Sequence, residues 1–199
     1  RAAQRANVPF LNIVQACTWT PSMRVPNPDE VRYLVYTTAA YGAQGISYYV
    51  YCHPGHTGGI ALPNGTPTPL YHALKTLNRQ FAAIAGQLQN LDSIGVYHTT
   101  FKEQGCEPVP EDSAFKIEST AGASDAERGF LLGLFGRATK PSHAVVVNLD
   151  YRSKKTAALV GPADMEKFDA DAARWLPVNG RRAELALEPG GGALLRLKL

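Results

Sequence analysis

Two apolar, β-rich runs, residues 8–17 (VPFLNIVQAC) and 45–52 (GISYYVYC), flank a segment with the marks of an amphipathic helix. Asn27 stands at the capping position, Pro28 fits the first helical position, and Glu30 completes a capping-box pattern. Val31, Leu34, Val35, Thr38 and Ala39 form an apolar stripe, and Gly42 suits a left-handed helix end. A crossover helix between two such strands requires them to pair in parallel, with right-handed connection. This constrains the fold more than any other feature. A parallel sheet needs both faces covered and more than two strands, so residues 8–56 cannot be a domain alone.

The rest of the chain divides in character. The loop from His53 to Thr68 is rich in glycine and proline, and Thr68 with Pro69 is expected to cap and open a second long helix. Leu70, Leu74, Leu77, Phe81, Ile84, Leu88 and Leu91 recur at steps of four and three along it. After Asp92 the pattern turns to short β runs at 93–100, 114–119, 129–136, 143–150, 156–160, 173–178, 183–188 and 193–198, with a polar loop at 102–113. Runs of strands with no helix between them predict an antiparallel sandwich or Greek-key layout. Charge follows the same divide. Residues 1–100 hold 6 Lys+Arg and 3 Asp+Glu, whereas residues 101–199 hold 14 of each. The expectation is therefore two domains, 1–91 and 92–199, of α/β and all-β class. A different α+β layout, with the first part stacked on the β part, stays open.

Several function classes are disfavoured. A net charge of +3, with no Lys/Arg run longer than two, lacks the basic footprint of a nucleic-acid binder. No apolar run approaches the ~20 residues of a membrane-spanning helix. Three cysteines, Cys17, Cys52 and Cys106, are too few for a disulfide scaffold. Cys17 and Cys52 end neighbouring strands, so a disulfide or, with His53 and His56, a zinc site is conceivable by ligand type. The spacing matches no zinc motif, and buried free thiols are the default. No cofactor and no metal is expected. The opening RAAQRA reads as the end of a helix, so more chain is expected upstream.

The runs PFLNIVQACTW, RVPNPDEVRYLVYTTAAYGAQGISYYVY and GTPTPLYHALKTLNRQFAAIAGQL resemble the last two strand–helix units of a glycoside hydrolase TIM barrel, of the β-galactosidase-like and cellulase-like superfamily. Residues 93–199 are similar to the small all-β domain that commonly follows, through Phe130–Phe135, Ala144–Asn148 and the closing PGGGALLRLKL. The resemblance implies a (β/α)8 barrel whose last two units lie at 1–91, followed by an antiparallel β-sandwich at 92–199. It implies glycoside hydrolysis of an oligo- or polysaccharide, a secreted or periplasmic setting, and a remainder of the barrel supplied in cis or in trans.

In such a barrel the active site lies at the C-terminal ends of the strands. That end carries Gln15, Trp19 and Arg24 after the first strand, and Tyr51, His53 and His56 after the second. These six are the candidate substrate-binding residues. Trp19 offers an apolar ring face to a pyranose, or is a rim aromatic. Arg24 binds a hydroxyl or pairs with an acid. The histidines contact substrate or order their loop. Tyr49 and Tyr51 alternate onto one face of their strand. Glycoside hydrolysis usually needs two carboxylates. Before Asp92 the only acids are Asp29 and Glu30, both placed for helix capping. Gln15 stands where many retaining relatives carry a nucleophilic Glu. The chain alone is thus expected to be inactive, with no catalytic residue of its own. A non-catalytic carbohydrate-binding or structural module is the rival reading.

Overall fold

The structure, a computed structural model, describes residues 2–6, 8–100, 105–119 and 129–198. It is a mixed α/β architecture in which antiparallel sheets predominate. A short helix α1 (Ala2–Ala6) precedes β1 (Leu11–Gln15), α2 (Pro28–Ala40), β2 (Gly45–Tyr49) and α3 (Pro69–Leu88). Nine strands follow among the described residues: β3 (Asp92–His98), β4 (Lys116–Ser119), β5 (Phe130–Arg137), β6 (Lys140–Asn148), β7 (Lys155–Val160), β8 (Met165–Asp169), β9 (Arg174–Pro177), β10 (Arg182–Leu187) and β11 (Gly192–Leu197). Part of the polar loop expected at 102–113 lies outside the described residues.

The local signals around α2 act as their chemistry dictates. The Glu30 N–H donates to Asn27 Oδ1 and the Asn27 N–H to Glu30 Oε2, both at 2.9 Å, closing a capping box. Gly42 follows the helix at φ +73°. Strands β1 and β2 pair in parallel, with Leu11 opposite Gly45 and Gln15 opposite Tyr49. The expectation for Thr68 needs correction. It occupies the N-cap position of α3, but its side chain makes no cap bond. Its hydroxyl donates instead to the Gly59 and Ile60 carbonyls at 2.7 and 3.0 Å, tying the preceding loop to the helix start. The loop carbonyls, rather than the helix N–H groups, orient this hydroxyl, and Pro69 has already relieved the helix start of one N–H.

Beyond α3 the strands form two antiparallel sheets, ordered β3-β5-β6-β11-β8-β9 and β10-β7-β4. The larger sheet is buried on both faces. Leu131 and Phe135 of β5, Val145 and Val147 of β6, Leu194 of β11 and Phe168 of β8 share one core with α2, α3 and β1. Their neighbours Phe130, Leu132, Leu134, Ala144, Val146, Leu195 and Met165 share a second core with Ala157 and Leu159 of β7 and Leu185 of β10. Helix α2 sits so close that a Cβ on Gly133 would overlap the Ala40 carbonyl oxygen. Strand β8 was missed by the sequence pattern. Its five residues, MEKFD, bury only Met165 and Phe168, which breaks the two-residue alternation.

The β1–β2 pair is unlike the other sheets. Each strand pairs only with the other among the described residues. Its even-numbered positions face the helices: Val14 and Ala16 are buried, and Asn12 donates to Thr38 Oγ1 at 2.7 Å. Its other face is open, with Leu11 66% and Ile13 68% exposed.

Candidate functional site

The C-terminal ends of β1 and β2 are held together by the loops that follow them. The Thr18 N–H donates to the Thr57 carbonyl at 2.9 Å, the Thr57 N–H to Thr18 Oγ1 at 3.0 Å, and the Gly59 N–H to the Ala16 carbonyl at 2.9 Å. Gly58, at φ +89°, lets the second loop run against Val25 of the first, where a Cβ would lie 2.6 Å from the valine methyl. The two strand ends thereby present one continuous surface.

Parallel register places Gln15 beside Tyr49 on the open face. Trp19 meets Tyr49 edge to face, with ring centroids 5.0 Å apart and planes at 84°. The Tyr49 hydroxyl lies 3.3 Å from His56 Nε2, and the His56 ring lies 4.1 Å from that of His53. Trp19 remains 46% exposed and Tyr49 40%. The result is a half-exposed aromatic cluster with imidazole along one side. Tyr49 was not among the six candidate residues. The alternation of Tyr49 with Tyr51 was visible in the sequence, but only the register with β1 assigns the face.

The remaining candidates are placed differently. Both Gln15 Nε2 hydrogens are spent on backbone carbonyls, Cys17 O at 3.0 Å and Arg24 O at 2.8 Å. Arg24 turns to Glu30, and its two terminal nitrogens bond the two carboxylate oxygens. Hydrogen bonds from Arg24, with help from the Asn27 N–H, hold the Glu30 carboxyl below its ordinary range despite burial. Tyr51 is 59% exposed and makes no ring contact with the Trp19 cluster.

Acid–base chemistry is sparse here. Among the described residues before Asp92, Glu30 is paired with Arg24 and Asp29 with Arg32 at 2.6 Å. The three cysteines are free thiols, and burial pushes the Cys17 thiol up. No group of three metal-ligating side chains occurs among the described residues, and no described helix is long and apolar enough to cross a membrane. A groove of about 990 Å³ opens at the opposite ends of β1 and β2, between Phe10, Tyr41, Phe81 and Phe135. Gln44, Gln89, Asp92 and Ser93 share its lining with these aromatic rings.

No family model and no curated protein matches the chain. Glycoside hydrolases are among the matching solved structures. One is a family 39 glycoside hydrolase from the gut symbiont Bacteroides cellulosilyticus WH2, at 16% identity and TM-score 0.46, covering 87% of this chain and 31% of that one. Another is a GH27 β-L-arabinopyranosidase from Geobacillus stearothermophilus, at 10% identity and TM-score 0.48, covering 94% of this chain and 36% of that one. A variant of that enzyme in complex with arabinose matches at 10% identity, TM-score 0.49 and the same coverage. The chain spans about a third of the length of these structures.

Proposed function

We propose that the chain is the C-terminal part of a glycoside hydrolase-like protein. Residues 1–91 supply the last two strand–helix units of a (β/α)8 barrel, and residues 92–199 form a trailing β-sandwich. The chain contributes a carbohydrate-binding wall built on Trp19, Tyr49, His53, His56 and Gln15, and the catalytic carboxylates lie outside it. One observation carries this reading: a half-exposed aromatic cluster stands at the C-terminal ends of a parallel β-α-β pair whose other strand edges are open among the described residues. An apolar ring face suits the C–H face of a pyranose, and the flanking imidazoles and amide suit its hydroxyls. Leu11 and Ile13, lower on the same face, fit the interior layers of a barrel, where branched apolar side chains predominate.

The test has two arms. Sugars titrated into the chain should perturb the indole signal of Trp19, and Trp19→Ala should abolish binding. A glycosidase assay on residues 1–199 should give no turnover; clear turnover would sink the placement of the acids elsewhere. A non-catalytic carbohydrate-binding module is favoured by a separate observation, the engagement of Gln15 with two backbone carbonyls where a nucleophile would stand. Discovery of paired acids on the strand ends that complete the barrel would decide against it.

A further inference from the structure

The two loops at the strand ends, residues 16–27 and 50–68, contain no Asp, Glu or Lys and a single Arg. That one guanidinium, on Arg24, is bound by both oxygens of Glu30. Glu30 also accepts the Asn27 N–H at 2.9 Å, so the same carboxylate pairs Arg24 and caps α2. The cation is present but already neutralised.

Two polar groups beside the Trp19 cluster also have a fixed sense. With both Nε2 hydrogens engaged, Gln15 has only its Oε1 to offer an incoming group, as an acceptor. The Gly55 N–H donates to His53 Nδ1 at 3.0 Å, so a neutral His53 carries its proton on Nε2 and offers a donor. A hydroxyl, which donates and accepts, satisfies both. A carboxylate or phosphate accepts only, and would set negative charge against the Gln15 carbonyl with the loop's one guanidinium already paired.

We propose that this wall selects neutral polyhydroxyl sugars and rejects carboxylated or phosphorylated ones. The inference rests on the carbohydrate-wall reading above and narrows its ligand class. It assigns the selection to the direction of the Gln15 amide and to the lack of an unpaired cation in the two loops, so that Gln15 is specificity-determining rather than catalytic.

The chain has only two indoles, and the Trp175 Nε1–H is bonded to Gln87 at 3.1 Å, so the Trp19 indole resonance is separately readable by NMR. Galactose against galacturonate, and glucose against glucuronate, differ only in a hydroxymethyl or carboxylate group. Titrated at about pH 8, the neutral sugars should bind about tenfold or more tightly than their acids, the scale set by an unpaired charge. Gln15→Met, checked for folding by circular dichroism, should weaken neutral sugars and raise uronate affinity severalfold, because the carbonyl set against the charge is gone. Uronates binding as well as neutral sugars, or no uronate gain in Gln15→Met, would overturn the selectivity and leave the wall intact. If none of the four sugars moves the Trp19 resonance, the wall reading itself fails and the selectivity falls with it.

Discussion

Replacing Gln15 by Glu changes one atom and tests whether this residue is a vacant nucleophile position or a clamp. The amide joins the end of β1 to the following loop through two donor bonds, at 3.0 Å to Cys17 O and 2.8 Å to Arg24 O. A carboxylate has no proton for either. Each lost bond costs roughly 0.5–1.5 kcal/mol net, so the pair amounts to about 1–3 kcal/mol. Gln15 is only half-buried, so the carboxylate can swing toward water and escape most direct repulsion by the two carbonyls. For a chain of this size each kcal/mol moves Tm by about 2–4 °C, giving a fall of about 2–12 °C at neutral pH. Acidification should restore about half the loss, because a protonated carboxyl donates one hydrogen bond. Gln15→Met should lose the same bonds with no pH dependence. Urea or thermal unfolding of the three proteins across pH measures this directly. Gln15→Glu as stable as the parent at neutral pH, or Gln15→Glu with glycosidase turnover, would refute the clamp.

Three further outcomes are expected. Gly133→Ala forces a methyl into the Ala40 carbonyl, so overpacking should cost about 1–3 kcal/mol in urea unfolding; a neutral effect would mean that α2 is not seated on β5 as described. Burial, reinforced by the charge of Arg196, pushes the His143 imidazole down to about 4 from 6.5. The unfolded chain then takes up the proton first, so stability present above about pH 6.5 should be lost as pH falls toward 4, and His143→Phe should flatten that part of the profile. The Glu30 carboxyl, held low by Arg24, adds loss at more acid pH, as the capping box at Asn27 is released; far-UV circular dichroism of Glu30→Gln should show that acid step missing.

What could be read from the sequence was what depends on near neighbours. The Asn27–Glu30 box, the stripe of α3 and the parallel β1–β2 pairing all follow from spacings within a few turns. The double burial of the larger sheet was illegible, because runs such as FLLGLF in β5 carry no period to say that Leu131 and Leu132 serve different cores. The candidate site was legible as residue types but not as bonds. The sequence places Gln15, Trp19 and Arg24 in order, yet Gln15's engagement depends on where a loop carries two carbonyls. Arg24's turn toward Glu30 depends on how that same loop enters α2. Tyr49 could be assigned to the Trp19 cluster only once its register with Gln15 was known.

The shared sheet also bears on how such a chain can be cut or recombined. The change in composition near Asp92 invites severing there, but the cut would bare Leu131, Phe135, Val145, Val147, Phe168 and Leu194 to water in one stroke. The strands after Asp92 would be left with a greasy, adhesive flank, and α2 and α3 would lose the sheet they share with Leu131, Phe135, Val145 and Val147. Swapping either portion into another protein would therefore require transplanting the matching surface with it.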